Sequence, residues 1–164
     1  MAKLFLFSVG KNKIEMTIKC LPFYRLNLDE FYEIMTLRQE VFVVEQNCPY
    51  LDADGKDPDA WHLMGLDKDG RLIAYTRILP KGISYKDYIA IGRVVTSPKV
   101  RKMGVGKEIM IASLDWCKNY FPNDNIKISA QTYLLDFYKN LGFEPVGEGY
   151  LEDDIPHIAM VLKK

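Results

Sequence analysis

Between residues 88 and 120 the chain spells out one complete structural unit, and that unit restricts the folds open to it. Tyr88–Thr96 is rich in β-branched and apolar residues and reads as a strand, stopped by Ser97-Pro98 because proline cannot donate to a sheet ladder. Arg101-Lys102-Met103-Gly104-Val105-Gly106-Lys107 follows, and then Ile109, Ala112, Trp116 and Tyr120 continue from Val105 at three- and four-residue spacing. That spacing predicts a helix over 104–120, ended before Pro122. A strand, a glycine-bearing turn and a helix start present main-chain N–H groups at the positive end of the helix dipole, which suits phosphate oxygens. Two phosphate patterns fail here. A Walker A loop needs glycine where Arg101 stands and a hydroxyl where Glu108 stands, and a dinucleotide fingerprint needs a small residue at Ile109.

The rest of the chain supplies a setting for that unit. Its 164 residues suffice for one core, and 48% apolar with 27% charged residues is the balance of a globular protein. Lys plus Arg and Asp plus Glu each total 22, so no global charge draws the chain to nucleic acid or an anionic membrane. Cys20, Cys48 and Cys117 are odd in number and widely spaced, with only His62 and His157 to join them. No zinc site or disulfide framework is expected, hence no metal and a reducing, cytoplasmic compartment. No apolar run approaches the ~18–20 residues that span a bilayer. Leu4-Phe5-Leu6-Phe7 is short and lacks a small-residue cleavage site, so it does not read as a signal peptide. Met16 offers an alternative start, which makes residues 1–15 a dispensable extension and residues 16–164 a single domain.

A strand is expected over Thr17–Arg25 and a helix over Asp29–Glu45, capped by Asn27 or Asp29. Gln46–Ala60 is too punctuated by Pro49, Gly55 and Pro58 for regular structure and is the expected functional loop. Trp61–Leu66 and Arg71–Leu79 flank Asp69-Gly70 and predict a hairpin. Ile126–Ala130 reads as a strand and Tyr133–Leu141 as a short helix closed by Gly142. Two last strands, Phe143–Gly149 and His157–Leu162, enclose the acidic turn Glu152-Asp153-Asp154. The fold class is α/β (α+β), with a largely antiparallel sheet.

R-x-x-G-x-G at Arg101–Gly106 resembles the pyrophosphate loop of the GNAT superfamily of N-acetyltransferases. Phe137-Tyr138-Lys139-Asn140-Leu141-Gly142-Phe143 resembles the second signature of that superfamily. Leu37-Arg38, Val41 to Tyr50, Asp52 to Gly55, His62, Ala74 to Leu79, Gly92 to Val94 and Ile155 to Ile158 resemble its ElaA-like branch, from about Leu26 to the C-terminus. The resemblance implies an acyl-CoA N-acyltransferase fold, a mixed, mostly antiparallel sheet with helices on both faces and two central parallel strands that splay apart. It implies acetyl-CoA as co-substrate. Val94, Val95 and Thr96 would meet the pantetheine arm, and Arg101, Lys102, Met103, Gly104, Val105, Gly106 and Lys107 the diphosphate. Gln131, where many members carry Asn, and Phe137 and Tyr138 would complete that surface.

Acetyl transfer to an amine needs an unprotonated nucleophile, stabilisation of an oxyanion and a proton for the departing thiolate. Tyr138 is the candidate acid by motif position, and the N–H of Val94 or Val95 the candidate oxyanion donor. His157 and Glu45 compete as general base. His62 is expected to hold the hairpin against the loop, and Cys117 to be buried and inert. Asp52, Asp54, Asp57 and Asp59 do not fit a calcium loop, because the glycine is misplaced and Leu63 stands at the twelfth position. With Glu152, Asp153 and Asp154 they serve solubility or draw in a cationic amine. The acceptor is a small-molecule or peptide amine, attacked directly in a ternary complex; monomer and homodimer remain open. The alternative is a catalytically weak CoA-binding sensor or interaction module.

Overall fold

The computed structural model describes residues 2–5 and 14–164. Among the described residues eight strands form one sheet: β1 (Ala2–Phe5), β2 (Met16–Pro22), β3 (Trp61–Leu66), β4 (Leu72–Leu79), β5 (Ile89–Thr96), β6 (Ile126–Gln131), β7 (Glu144–Glu152) and β8 (Ile155–Leu162). Their order is β1-β2-β3-β4-β5-β6-β8-β7, antiparallel at every junction except β5–β6. The helices are α1 (Leu28–Arg38), α2 (Val105–Tyr120) and α3 (Leu135–Lys139). Most of the stretch read as an extension lies outside the described residues, and Ala2–Phe5 pairs along β2 as the sheet's edge.

Alternation along the strands gives the sheet two apolar faces. Leu63, Ile78 and Ile91 join Ile109, Met110 and Cys117 of α2 on one face. Met64, Tyr75 and Val95 join Ile34, Leu37 and Val41 on the other. The first helix starts where Asn27 and Glu30 cap each other reciprocally, the side chain of Asn27 accepting from the Glu30 N–H at 2.8 Å.

Four expectations are revised. The strand expected to reach Arg25 ends at Pro22, and Phe23–Arg25 coils into a 3₁₀ turn. The helix expected to reach Glu45 is α-helical only to Arg38, and Gln39–Glu45 widens into a π-helix with the Gln46 N–H donating to the Val41 carbonyl. The run Val41-Phe42-Val43-Val44 crowds an α-helical turn, and widening relieves it. The helix expected over 133–141 begins as a 3₁₀ turn at Thr132–Leu134. The last hairpin turns on Asp153 and Asp154 alone, at φ +49° and +63°, so Glu152 belongs to β7. Two consecutive positive φ values are the type I′ geometry that matches strand twist.

Candidate active site

Strands β5 and β6 pair at only two positions, Ile89 with Ile126 and Ala90 with Lys127. Beyond them β6 follows β8, where Gln131 lies across from His157, while β5 continues along β4. The two strands therefore part, and β5 presents an unpaired edge to the gap, as a sheet does to an added strand. A cleft of about 850 Å³ opens there, walled by β5, β6, α3, the π-helix and the 46–60 loop.

The edge of β5 is not regular. Pairing with β4 passes from Tyr75↔Val95 to Arg77↔Gly92, so Arg93 and Val94 together oppose Thr76. This is a β-bulge, and Arg93 sits in the left-handed region at φ +51°. The side chain of Val95 is buried in the α1 core, whereas Val94 and Thr96 are half-buried at the cleft.

At the head of α2, Gly104 adopts φ +81°, which glycine takes without steric cost. The N–H groups of Lys107 and Glu108 donate back to the Gly104 carbonyl at 3.0 and 3.2 Å. The amides of Val105 and Gly106 come earlier and have no carbonyl within the helix to donate to, which leaves them for an external acceptor. A Cβ built on Gly106 would meet only Thr96 Cγ2, at 3.8 Å, so the space over this turn is open. Arg101 and Gly106 line the cleft. Lys102, exposed and also at positive φ, and Met103 lie in the turn outside that lining, and Val105 faces the core.

Tyr138, Phe137, Gln131, Glu45 and His157 border the same cleft. Tyr138 lies between Phe137 and Phe143, edge to face with both, and burial pushes its hydroxyl up to about 12. His157 is buried, near parallel to Tyr150, with Nδ1 2.7 Å from the Ile155 carbonyl. A carbonyl only accepts, so Nδ1 carries a hydrogen, and in the neutral ring the lone pair is then at Nε2. Glu45 accepts two bonds from Arg101, at 2.7 and 2.8 Å, and this pairing raises the guanidinium further. The remaining candidates also find their places. His62 is fully buried between the Tyr75 hydroxyl and the Asp57 carbonyl, tying hairpin to loop, and burial lowers its pKa. Cys117 is buried and its thiol is pushed up to about 12 by desolvation.

Neither solubility nor steering describes Asp52, Asp54 and Asp57. They neutralise three arginines beneath the loop. Arg38, wholly buried, donates to Asp52 and Asp57 at 2.7 Å each, and Arg77 donates to Asp54 at 2.6 Å and Asp57 at 2.9 Å. Arg93 Nε donates to Asp52 at 2.7 Å, and the Tyr50 hydroxyl donates to the same oxygen at 2.9 Å. Burial pushes the Asp54 and Asp57 carboxyls up, but the facing guanidiniums outweigh it and hold both below the usual carboxylate range. The signal for this network was present: Arg77 interrupts the apolar run Ala74–Leu79, and a charge at such a position requires a partner. Among the described residues no group of His, Cys, Asp and Glu is arranged to hold a metal, and no helix is long and apolar enough to cross a membrane.

Residues 53–164 match the family model of the acetyltransferase (GNAT) domain. Protein ElaA of Escherichia coli is 43% identical over 82% of this chain and 88% of its own length. Its crystal structure superposes with a TM-score of 0.83 at 39% identity, over 92% of this chain and 99% of that one. An acyl-CoA N-acyltransferase from Pseudomonas aeruginosa superposes with a TM-score of 0.85 at 41% identity, over 90% of this chain and 99% of that one. A UPF0039 protein of Synechocystis is 43% identical over 82% of this chain and 87% of its own.

Proposed function

Because the chain belongs to the GNAT family of acetyltransferases, we propose that it moves an acetyl group from acetyl-CoA to a small-molecule or peptide amine, by direct attack with both substrates bound. The observation that carries this reading is the parting of β5 from β6 beside an open glycine turn. An extended pantetheine arm can add along the free edge at Val94, Val95 and Thr96 while the diphosphate meets the first amides of α2. Arg101, Lys102 and Lys107 supply charge around the main chain of Met103, Gly104, Val105 and Gly106, and Gln131 and Phe137 border the arm. Bound acetyl-CoA supplies an activated thioester and a thiol leaving group.

The chain's own groups provide the rest. Tyr138, with its hydroxyl up at about 12, keeps its proton at neutral pH and donates it toward the leaving sulfur. A main-chain N–H at Val94 or Val95 stabilises the oxyanion. The neutral ring of His157 takes the amine proton at Nε2, where its lone pair lies when Nδ1–H donates to the Ile155 carbonyl. Glu45 is the weaker candidate for that step because Arg101 occupies both its oxygens. The setting we propose is cytoplasmic.

Titration calorimetry tests the cofactor site. Gly106→Glu brings a carboxylate toward the diphosphate, its Cβ meeting no side chain nearer than Thr96 Cγ2 at 3.8 Å, and weakens coenzyme A by at least about 100-fold with the melting temperature retained. Unchanged affinity removes the assignment of the turn. Thiol release over a panel of amines tests turnover: Tyr138→Phe lowers kcat about 100-fold with little change in the KM for acetyl-CoA. A wild type that binds coenzyme A but releases no thiol with any amine is a sensor instead.

A further inference from the structure

The bulge in β5 needs an explanation that the strand itself does not give. A residue with a Cβ at φ +51° is held against its own preference, and such a conformation persists only where the surroundings over-determine it. The constraint at Arg93 comes through its side chain. Nε donates to Asp52 Oδ1 at 2.7 Å, Nη2 lies 3.4 Å from the Asp52 carbonyl, and the guanidinium stands 5.9 Å from the centre of the Tyr50 ring.

Asp52 is itself immobilised. Its side chain is 2% exposed, and its second oxygen accepts from Arg38 Nε at 2.7 Å. Arg38 Nη2 also donates to the Asp52 carbonyl at 3.0 Å, and Arg38 ends α1. One carboxylate thus joins a helix on one face of the sheet to the irregular residue of the central strand. It also belongs to the loop whose Tyr50 and Leu51 line the cleft. If the bulge were ironed out, every side chain beyond it would change faces, and the main chain of Val94 and Val95 would be displaced by one residue along the gap.

We propose that Asp52, acting through Arg93, is a positioning residue for acyl transfer: it clamps the β5 bulge in its left-handed conformation and so fixes the main chain of Val94 and Val95 against the bound thioester. The use of that main chain rests on the acetyltransferase reading; the clamp itself does not. A consequence is that the 46–60 loop and the cofactor edge of β5 move as one body, so the acceptor end of the cleft is ordered by the same contact that orders the cofactor end.

Arg93→Ala and Arg93→Gly decide it, because both delete the guanidinium and only glycine adopts positive φ freely. In a regular strand glycine is the less stable of the two. Here Arg93→Gly melts higher than Arg93→Ala and keeps the amide resonances of Val94, Val95 and Thr96 near their wild-type positions, while Arg93→Ala displaces them. In coenzyme A titrations Arg93→Ala binds about tenfold more weakly than wild type, and Arg93→Gly recovers most of that loss. If Arg93→Ala does not fold at all and Arg93→Gly does, the clamp is supported on stability alone. Equal melting temperatures and equal amide spectra for the two variants overturn it. A wild type that fails to bind coenzyme A removes the acetyltransferase reading, and the amide spectra and melting order still pass judgement on the clamp.

Discussion

At the head of α2 the cleft is bordered by main chain: a left-handed glycine, first amides with no intrahelical partner, and open space above Gly106 that only Thr96 Cγ2 borders, at 3.8 Å. Across from it, the 46–60 loop is tied to the bulge of β5 chiefly through side chains, three arginines against three aspartates drawn from residues 38 to 93. The turn gets its shape from six consecutive residues and needs little from the rest of the protein. The loop has almost no regular structure and gets its shape from partners far away in sequence. Damage to the first should therefore cost binding and spare stability, and damage to the second should cost stability, with binding lost only as far as the edge of β5 is displaced.

The largest effect expected is at Arg38. Arg38→Met fills the space of the side chain but takes from the buried carboxylates of Asp52 and Asp57 one of the two guanidiniums that each faces. Breaking a buried pair from one side costs about 3–5 kcal/mol, read as a lowered urea midpoint. Gly106→Glu in the same assay should barely move. If Arg38→Met is as stable as wild type, the contrast between the two regions fails.

Acid is the next way to separate them. Asp57 and Asp54 have pKa values below those of the unfolded chain, since their arginine partners outweigh the upward push of burial. Their contribution is complete above the unfolded carboxylate pKa of about 4 and is lost as pH falls through the lower folded values. The urea midpoint should thus decline below about pH 4, and Asp57→Asn should flatten that decline. A midpoint that holds level from pH 5 to pH 2.5 would break the assignment of the loop's stability to these pairs.

The same contrast explains which features could be read from the sequence. Gly104, Gly106 and the hairpin at Asp69-Gly70 are local: spacing and turn chemistry point to them, and Gly70 indeed sits at φ +79°, whereas Tyr138 is singled out only by the family resemblance. The two-faced sheet and the parted strands are also where the family resemblance implied them. The carboxylates of the loop were legible only as charge, because their partners lie on α1, β4 and β5 and sequence distance hides the pairing. The π-helix escaped for a related reason: three- and four-residue apolar spacing fits an α-helix equally well until crowding at Val41–Val44 decides the matter. The bulge at Arg93 leaves no mark in composition, since an arginine in a strand gives no sign of its φ.

One contact bridges the two regions, and it carries the smallest expected effect. Glu45, at the end of the π-helix, holds Arg101, the first charged residue of the glycine turn, at 2.7 Å with both side chains about two-fifths exposed. An exposed pair of this kind is worth less than about 1 kcal/mol. In the proposed enzyme the diphosphate competes with Glu45 for the same guanidinium, so each must give up part of its hold when the other binds. Glu45→Gln removes the competitor and should tighten coenzyme A by no more than about fivefold at low salt, with the gain fading as salt screens the exposed charges. A fall in kcat of about 100-fold with coenzyme A affinity unchanged would instead make Glu45 the general base and return His157 to a structural role. Affinity at two salt concentrations together with turnover on one amine separates these outcomes.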